Sequence, residues 1–129
     1  MKIVQINLHK CKAASANLTK AFLTNNIDVA LIQEPWTNKW RVLGILGAGR
    51  EIIYDQTALR PRSCIMVRKG VIYMAMQNFI TPDQTVIKVK VQQEGKKERE
   101  LILTSSYLPS DEVDPPPLEL RELVKHAGD

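Results

Sequence analysis

The stretch ALIQEPW, residues 30–36, decides how this chain is read. Ala30, Leu31, Ile32 and Gln33 close an apolar run that begins at Ile27. Apolar residues fall on both faces of that run, so residues 27–33 predict a central strand covered on both sides. Glu34 then sets a carboxylate at the strand's end, and Pro35 cannot continue the ladder. A charge placed there can leave the sheet without being buried among apolar side chains.

Upstream, residues 2–7 alternate, with Ile3, Val4 and Ile6 β-branched and Asn7 closing the run, which predicts a first strand. Residues 12–25 predict a helix: Ala14, Leu18, Ala21, Phe22 and Asn25 share one face, and Asn25-Asn26 supply the stop. Strand, helix and strand in that order form a βαβ crossover with parallel strands. Asn7 and Glu34 then come to the same sheet edge, the edge where open α/β proteins build sites. An amide and a carboxylate there could hold a hard cation such as Mg²⁺, which takes few protein ligands and keeps several waters. Equally, Asn7 could cap the turn that follows it and Glu34 could be a solvated strand end.

Downstream, helical periodicity stops. Extended runs are predicted at 41–46, 51–54, 63–68, 71–75, 85–92 and 98–107, separated by turn signals at Gly47-Ala48-Gly49, Lys69-Gly70, Thr81-Pro82-Asp83 and Glu94-Gly95-Lys96. The last two runs predict a hairpin in which Val86, Ile87, Val89 and Val91 meet Leu101, Ile102 and Leu103. Three prolines, 115–117, open a short helix predicted to run to about Ala127, with Gly128 as its stop. Two helices cannot cover both faces of a mixed sheet of six or more strands. One apolar face is therefore expected to stay open, as in part of a larger fold.

The totals narrow the class. The 129 residues suffice for one small domain, and 44% hydrophobic with 25% charged residues is an ordinary globular balance. No apolar run approaches the roughly 20 residues of a spanning helix, and no export signal opens the chain, so an intracellular protein with no membrane partner is expected. Cys11 and Cys64 lack metal-site or CxxC spacing and read as free thiols of a reducing compartment. A net charge of +4 suits a phosphate-rich partner, although the basic residues form no single tract. Other side chains could carry chemistry. Tyr107, behind Ser105-Ser106 at a strand end, could donate to a phosphate oxygen or simply be half-buried with a wet hydroxyl. His9, near Asn7, could act as a base or ligand. Trp36 and Trp40 flank Lys39 and Arg41, an aromatic-basic mixture that can stack on bases or merely pack at the surface. His126 and the acids Asp111, Glu112 and Asp114 read as solvated.

Taken together, QINLHKCKAA, VALIQEPW, RSCIMVRKG, SSYLP and PPPLELRELVKHA resemble, in order and spacing, the endonuclease domain of non-LTR retrotransposons, of the branch common in arthropods. That family belongs to the endonuclease/exonuclease/phosphatase superfamily, with apurinic endonucleases and pancreatic deoxyribonuclease. The resemblance implies a DNase I-like four-layer α/β/β/α sandwich, mixed and mostly antiparallel, of which this chain would supply the N-terminal part with two helices and an exposed apolar inner face. It implies Mg²⁺- or Mn²⁺-dependent nicking of double-stranded DNA, with one or two ions in a complete domain, and a nuclear location. By position, Glu34 matches the metal-binding glutamate, Asn7 the asparagine that orients the metal site, and Tyr107 the tyrosine on the scissile phosphate. His9 stands where relatives carry aspartate or asparagine, in reach of the groove. The family's later motifs, a GDxN-like stretch and a histidine with its aspartate, have no counterpart; Gly128-Asp129 is read as a loop. The expectation is a single, incomplete domain, 1–129, inactive alone. It would await its C-terminal half or a self-associated copy; the alternative is a non-catalytic nucleic-acid-binding remnant.

Overall fold

The computed structural model describes residues 1–47, 49–92, 95 and 97–108. The predicted helix at 116–127, His126, Asp129 and the acids at 111, 112 and 114 lie outside them. So do Gln93, two residues of the predicted turn, Glu94 and Lys96, and Ala48 of the earlier glycine-rich turn.

The chain opens as predicted. Strand β1 (Ile3–Asn7) leads to helix α1 (Lys12–Thr24) and then to β2 (Val29–Gln33), which pairs parallel to β1 with Asn7 opposite Gln33. The helix stops as its asparagines require. Asn26 takes the left-handed conformation, φ +53, and the Ile27 N–H bonds the Phe22 carbonyl at 3.2 Å. Such a closure satisfies one of the helix's orphan carbonyls. One face differs from expectation: the fully buried position is Ser15, with Leu18 and Phe22, while Asn25 is exposed. Ser15 packs where Gly44 leaves space. A β-carbon on Gly44 would lie 2.9 Å from the Trp36 ring and 3.0 Å from the Ser15 β-carbon. Ser15 also satisfies its hydroxyl on the Cys11 carbonyl at 3.0 Å.

A small hairpin follows, β3 (Thr37–Asn38) against β4 (Arg41–Val42). The predicted strand 41–46 thus ends early. Leu43 bonds back to the Trp36 carbonyl, Gly44 turns the chain at φ +82, and Ile45 enters the core from a loop. Strand β5 (Arg50–Ile53) and β6 (Ser63–Arg68) complete a four-stranded sheet in the order β1-β2-β6-β5. Then β7 (Tyr73–Ala75), a 3₁₀ turn (Gln77–Phe79), β8 (Gln84–Val91) and β9 (Arg99–Ser106) build a separate three-stranded antiparallel sheet. In the predicted hairpin, Ile87 faces Leu103 and Val89 faces Leu101, whereas Ile102 lies opposite Lys88 and Val86 opposite Thr104.

The expectation of one broad sheet with an open apolar face is therefore corrected. Strands divide between two sheets, and the second covers the first. On β2, Ala30 and Ile32 pack with Leu18 and Phe22 of the helix and with Cys64 and Met66 of β6. Val29, Ile65 and Val67, on the opposite face, pack with Ile87 and Val89 of the second sheet. Val29, Ala30 and Ile32 are all 0% exposed. The described residues thus stack helix on sheet on sheet. Period-two alternation sets which side chains share a face, but not which strands are neighbours, so the division could not be read from pattern alone. Burial pushes the Cys64 thiol up, keeping it a neutral core side chain. Among the described residues, no helix is long and apolar enough to cross a membrane.

At the sheet end away from Asn7, Asp28 ties three segments. Its carboxylate accepts the Lys2 N–H at 2.7 Å and pairs with the Arg68 guanidinium, and its carbonyl accepts the Arg68 N–H at 2.8 Å. Burial works against the charge, but the Lys2 and Arg68 contacts outweigh it and hold the carboxyl below its ordinary value of 3.8. A depressed carboxyl contributes stability above its unfolded value and loses it as pH falls through the folded one. Asp28→Asn is expected to cost about 1–2 kcal/mol at pH 7. In urea melts, the gap from the parent chain should close as pH drops below 3.8. A gap that is constant down to low pH would show that the charge is not what stabilises this corner.

Candidate functional site

The site grows from the ends of β1 and β2. Their backbones stay joined beyond the ladder: the Leu8 N–H bonds the Gln33 carbonyl and the Lys10 N–H the Glu34 carbonyl, both at 2.9 Å. Asn7 accepts the His9 N–H on its Oδ1 at 2.8 Å, so it does cap the turn after β1. That amide oxygen fixes the turn without being buried. Glu34 is not a plain strand end. Its φ is +49, and His9 and Lys10 across from it have φ +51 and +57. Non-glycine residues in this region cost on the order of 1–3 kcal/mol each and persist where surrounding structure enforces them, often at functional sites. Here the Glu34 N–H is held by the Arg62 carbonyl at 2.8 Å and its carbonyl by Lys10. The bend turns the carboxylate toward the turn after Asn7, with Glu34 Oε2 3.8 Å from His9 Nδ1. The His9 side chain is 79% exposed and that of Glu34 22%.

The third layer brings Tyr107 to the same edge. The residue follows β9, and its N–H bonds the Asp83 carbonyl at 2.8 Å. Arg62 lies between it and Glu34, with the guanidinium carbon 4.8 Å from the Tyr107 ring centroid. Beneath these residues runs a buried polar network joining the two sheets. Gln33 Nε2 donates to Ser105 Oγ at 2.9 Å, and Ser105 Oγ donates to the Ile32 carbonyl at 2.6 Å. Ser63 Oγ donates to the Ser105 carbonyl at 2.6 Å. These bonds set how far the end of β9 stands from the end of β2.

The aromatic-basic segment separates into two parts. Lys39, Trp40 and Arg41 sit on the hairpin tip, exposed, with Trp40 at 53% and Lys39 at φ +52. Trp36 lies at the hairpin's base, half-buried against Gly44, with the Lys12 ammonium 5.6 Å from its ring. It lines a cleft of about 290 Å³ with Lys10, Thr37, Arg60, Pro61 and Arg62, directly beside Glu34. A larger hollow of about 400 Å³ lies between β5 and β7 and contains none of these residues.

A metal is tested by the donors present. Glu34 offers a carboxylate and Asn7 an amide oxygen, from adjacent strand ends. That is a fit for Mg²⁺ or Mn²⁺ held by few protein oxygens and several waters. Among the described residues, no group of three His, Cys, Asp or Glu could hold an ion.

Sequence reasoning brought Asn7 and Glu34 to one edge, with His9 near Asn7; the structure brings the start of the segment after β9, with Tyr107, to that edge as well. Sequence reasoning named Ser105 only as a hydroxyl at a strand end, and it did not find Arg62, Asp83 or Gln33 as parts of the site. The only local signal for Arg62 and Asp83 was their placement beside Pro61 and Pro82, next to predicted strand starts.

The fold is similar to that of the endonuclease domain of TRAS1, a telomere-specific non-LTR retrotransposon, with a TM-score of 0.69 and 23% identity. The match covers 96% of this chain and 52% of that one, so the chain spans about half the length of that structure. At that identity the likeness is one of fold. No protein-family profile matches the chain, and no curated protein matches it.

Removing the Ser105 hydroxyl should be felt in stability. Ser105→Ala leaves the buried Gln33 amide short of a partner, at an expected cost of about 1–3 kcal/mol in urea unfolding. A change within about 0.5 kcal/mol would mean that the inter-sheet network is not what holds β9 in place.

Proposed function

We propose that this chain is part of a phosphodiester-cleaving endonuclease domain that nicks double-stranded DNA with Mg²⁺ or Mn²⁺. In this reading residues 1–129 form a single incomplete domain of a four-layer sandwich. The observation that carries it is the left-handed bend at Glu34, which sets a strand-end carboxylate beside the turn that Asn7 caps, at the edge where Tyr107 also emerges. The likeness to a retrotransposon endonuclease domain supports the same assignment, as do the motifs that led to it from sequence. A genomic duplex as substrate would place the protein in the nucleus, and nicking there would prepare a site for integration.

Each residue then has a task. Glu34 and Asn7 present oxygen donors to the ion, and Asn7 at the same time fixes the turn that carries His9. Bound there, a divalent ion supplies charge stabilisation on a phosphate oxygen. Tyr107 donates its phenol to the phosphate. Lys10, Arg60 and Trp36 line the adjoining cleft with positive charge and a ring, suited to a flanking nucleotide. His9 is exposed enough to meet the DNA groove. This reading assigns the general base that accepts the proton of an attacking water to none of these residues. A positioned base contributes roughly two to four orders of magnitude, so the reading expects negligible nicking by this chain.

Two measurements test the reading. Mn²⁺ titrated into labelled protein should broaden the amide signals of Asn7, Gln33 and Glu34, and Glu34→Ala should remove the broadening. Broadening spread evenly over the surface, or unchanged in Glu34→Ala, would sink the metal assignment. Plasmid nicking in Mg²⁺ should stay at background; nicking that Glu34→Ala abolishes would show a complete active site and refute the incomplete-domain reading.

A second reading, a non-catalytic nucleic-acid-binding element, draws on the exposed hairpin tip Lys39-Trp40-Arg41. It predicts duplex or single-strand binding that weakens steeply with salt. Trp40→Ala should lower that affinity while leaving Mn²⁺ broadening intact. No gel shift at low salt would remove this reading.

A further inference from the structure

Arg62 precedes β6 and bonds both to Glu34 and to Asp83, the residue that holds the Tyr107 backbone. Its carbonyl accepts the Glu34 N–H at 2.8 Å, and its own N–H bonds the Pro82 carbonyl at 2.7 Å. Its guanidinium reaches across to Asp83 in a fork, Nε to Oδ1 and Nη2 to Oδ2, each at 2.6 Å. The same carboxylate-bearing residue holds Tyr107 by the backbone, through the Tyr107 N–H on the Asp83 carbonyl. Over the Tyr107 ring stands the Arg62 guanidinium, 4.8 Å from the centroid.

We propose that Arg62 is the positioning residue for Tyr107, holding its phenol in a fixed direction and at a fixed distance from the Glu34 carboxylate. The physical reason is geometric. A bidentate pair with Asp83 fixes the plane of the guanidinium. A planar cation lying on the ring face then resists rotation of the ring. Lysine cannot replace this arrangement, because its ammonium is a point charge without a fork. The pair is partly exposed, with side chains 41% and 21% accessible. Exposed ion pairs contribute little net stability, so its value lies in orientation. The functional consequence rests on the reading that Tyr107 meets a phosphodiester oxygen; the positioning itself rests only on these contacts.

The experiment uses the whole chain and two variants, Arg62→Lys and Asp83→Asn, each checked by circular dichroism and urea unfolding. The protein has three tyrosines, and Tyr107→Phe assigns the ring signals of Tyr107 by NMR. Both variants should move the Tyr107 ring resonances and leave those of Tyr54 and Tyr73 in place. Affinity for a short DNA duplex at low salt should fall roughly fivefold in Tyr107→Phe and in Arg62→Lys, with no further loss when they are combined, since coupled residues do not add. Unmoved Tyr107 signals in whichever variant folds would overturn the proposal. So would a loss from Arg62→Lys that persists in full in the Tyr107→Phe background, which would make Arg62 a direct DNA contact. If the parent chain binds no duplex, the nuclease reading fails, and the ring signals alone decide whether Arg62 positions Tyr107.

Discussion

Strand β2 has no face toward solvent, and the rest of the molecule is arranged around that constraint. Alternate residues serve different layers: Ala30 and Ile32 belong to the helix side, Val29 to the side of the second sheet. Fully burying an aliphatic side chain contributes about 1.5–3 kcal/mol. The strand therefore holds its neighbours on both sides at once. The same constraint leaves charge only at the ends of β2, with Asp28 before the strand and the site at its C-terminal end. Glu34 stands there, and the left-handed bend turns its carboxylate out of the sheet while both of its backbone groups stay bonded.

The interface between the two sheets changes character along its length. Away from the site it is apolar, with Val29, Ile65 and Val67 against Ile87 and Val89. Toward the site it becomes polar, with Gln33, Ser63 and Ser105 bonded to one another and to backbone carbonyls. Apolar packing tolerates small slips between layers, because it is non-directional. Hydrogen bonds do not, and a buried partner left unpaired is costly. Placing directional bonds beneath Glu34 and Tyr107 fixes the spacing of two groups that come from different sheets. Arg62 and Asp83 add a second set of such bonds at the rim.

Two observations bear on the nuclease reading from different directions. The motifs around Asn7, Glu34 and Tyr107 resemble those of retrotransposon endonuclease domains. The fold, compared as a whole, is similar to such a domain over nearly all of this chain. The two rest on different properties, short side-chain patterns in one case and backbone path in the other. The backbone path corresponds to about half of the similar structure.

Local chemistry was legible wherever a residue's neighbours in sequence determine its role. The apolar run 27–33, the helix stop at Asn25-Asn26 and the polar residues closing two parallel strands each follow from periodicity or from capping, so the sequence by itself determined the βαβ unit and the edge that carries Asn7 and Glu34. Tertiary structure alone decided how the later strands divide between two sheets, because alternation assigns faces and not neighbours. It alone decided that Ser15 is buried, since that depends on Gly44 being opposite. And it alone paired Arg62 with Asp83 and set them against Tyr107. Residues 62, 83 and 107 lie on three separate segments, and nothing in their local patterns relates them until the sheets have packed.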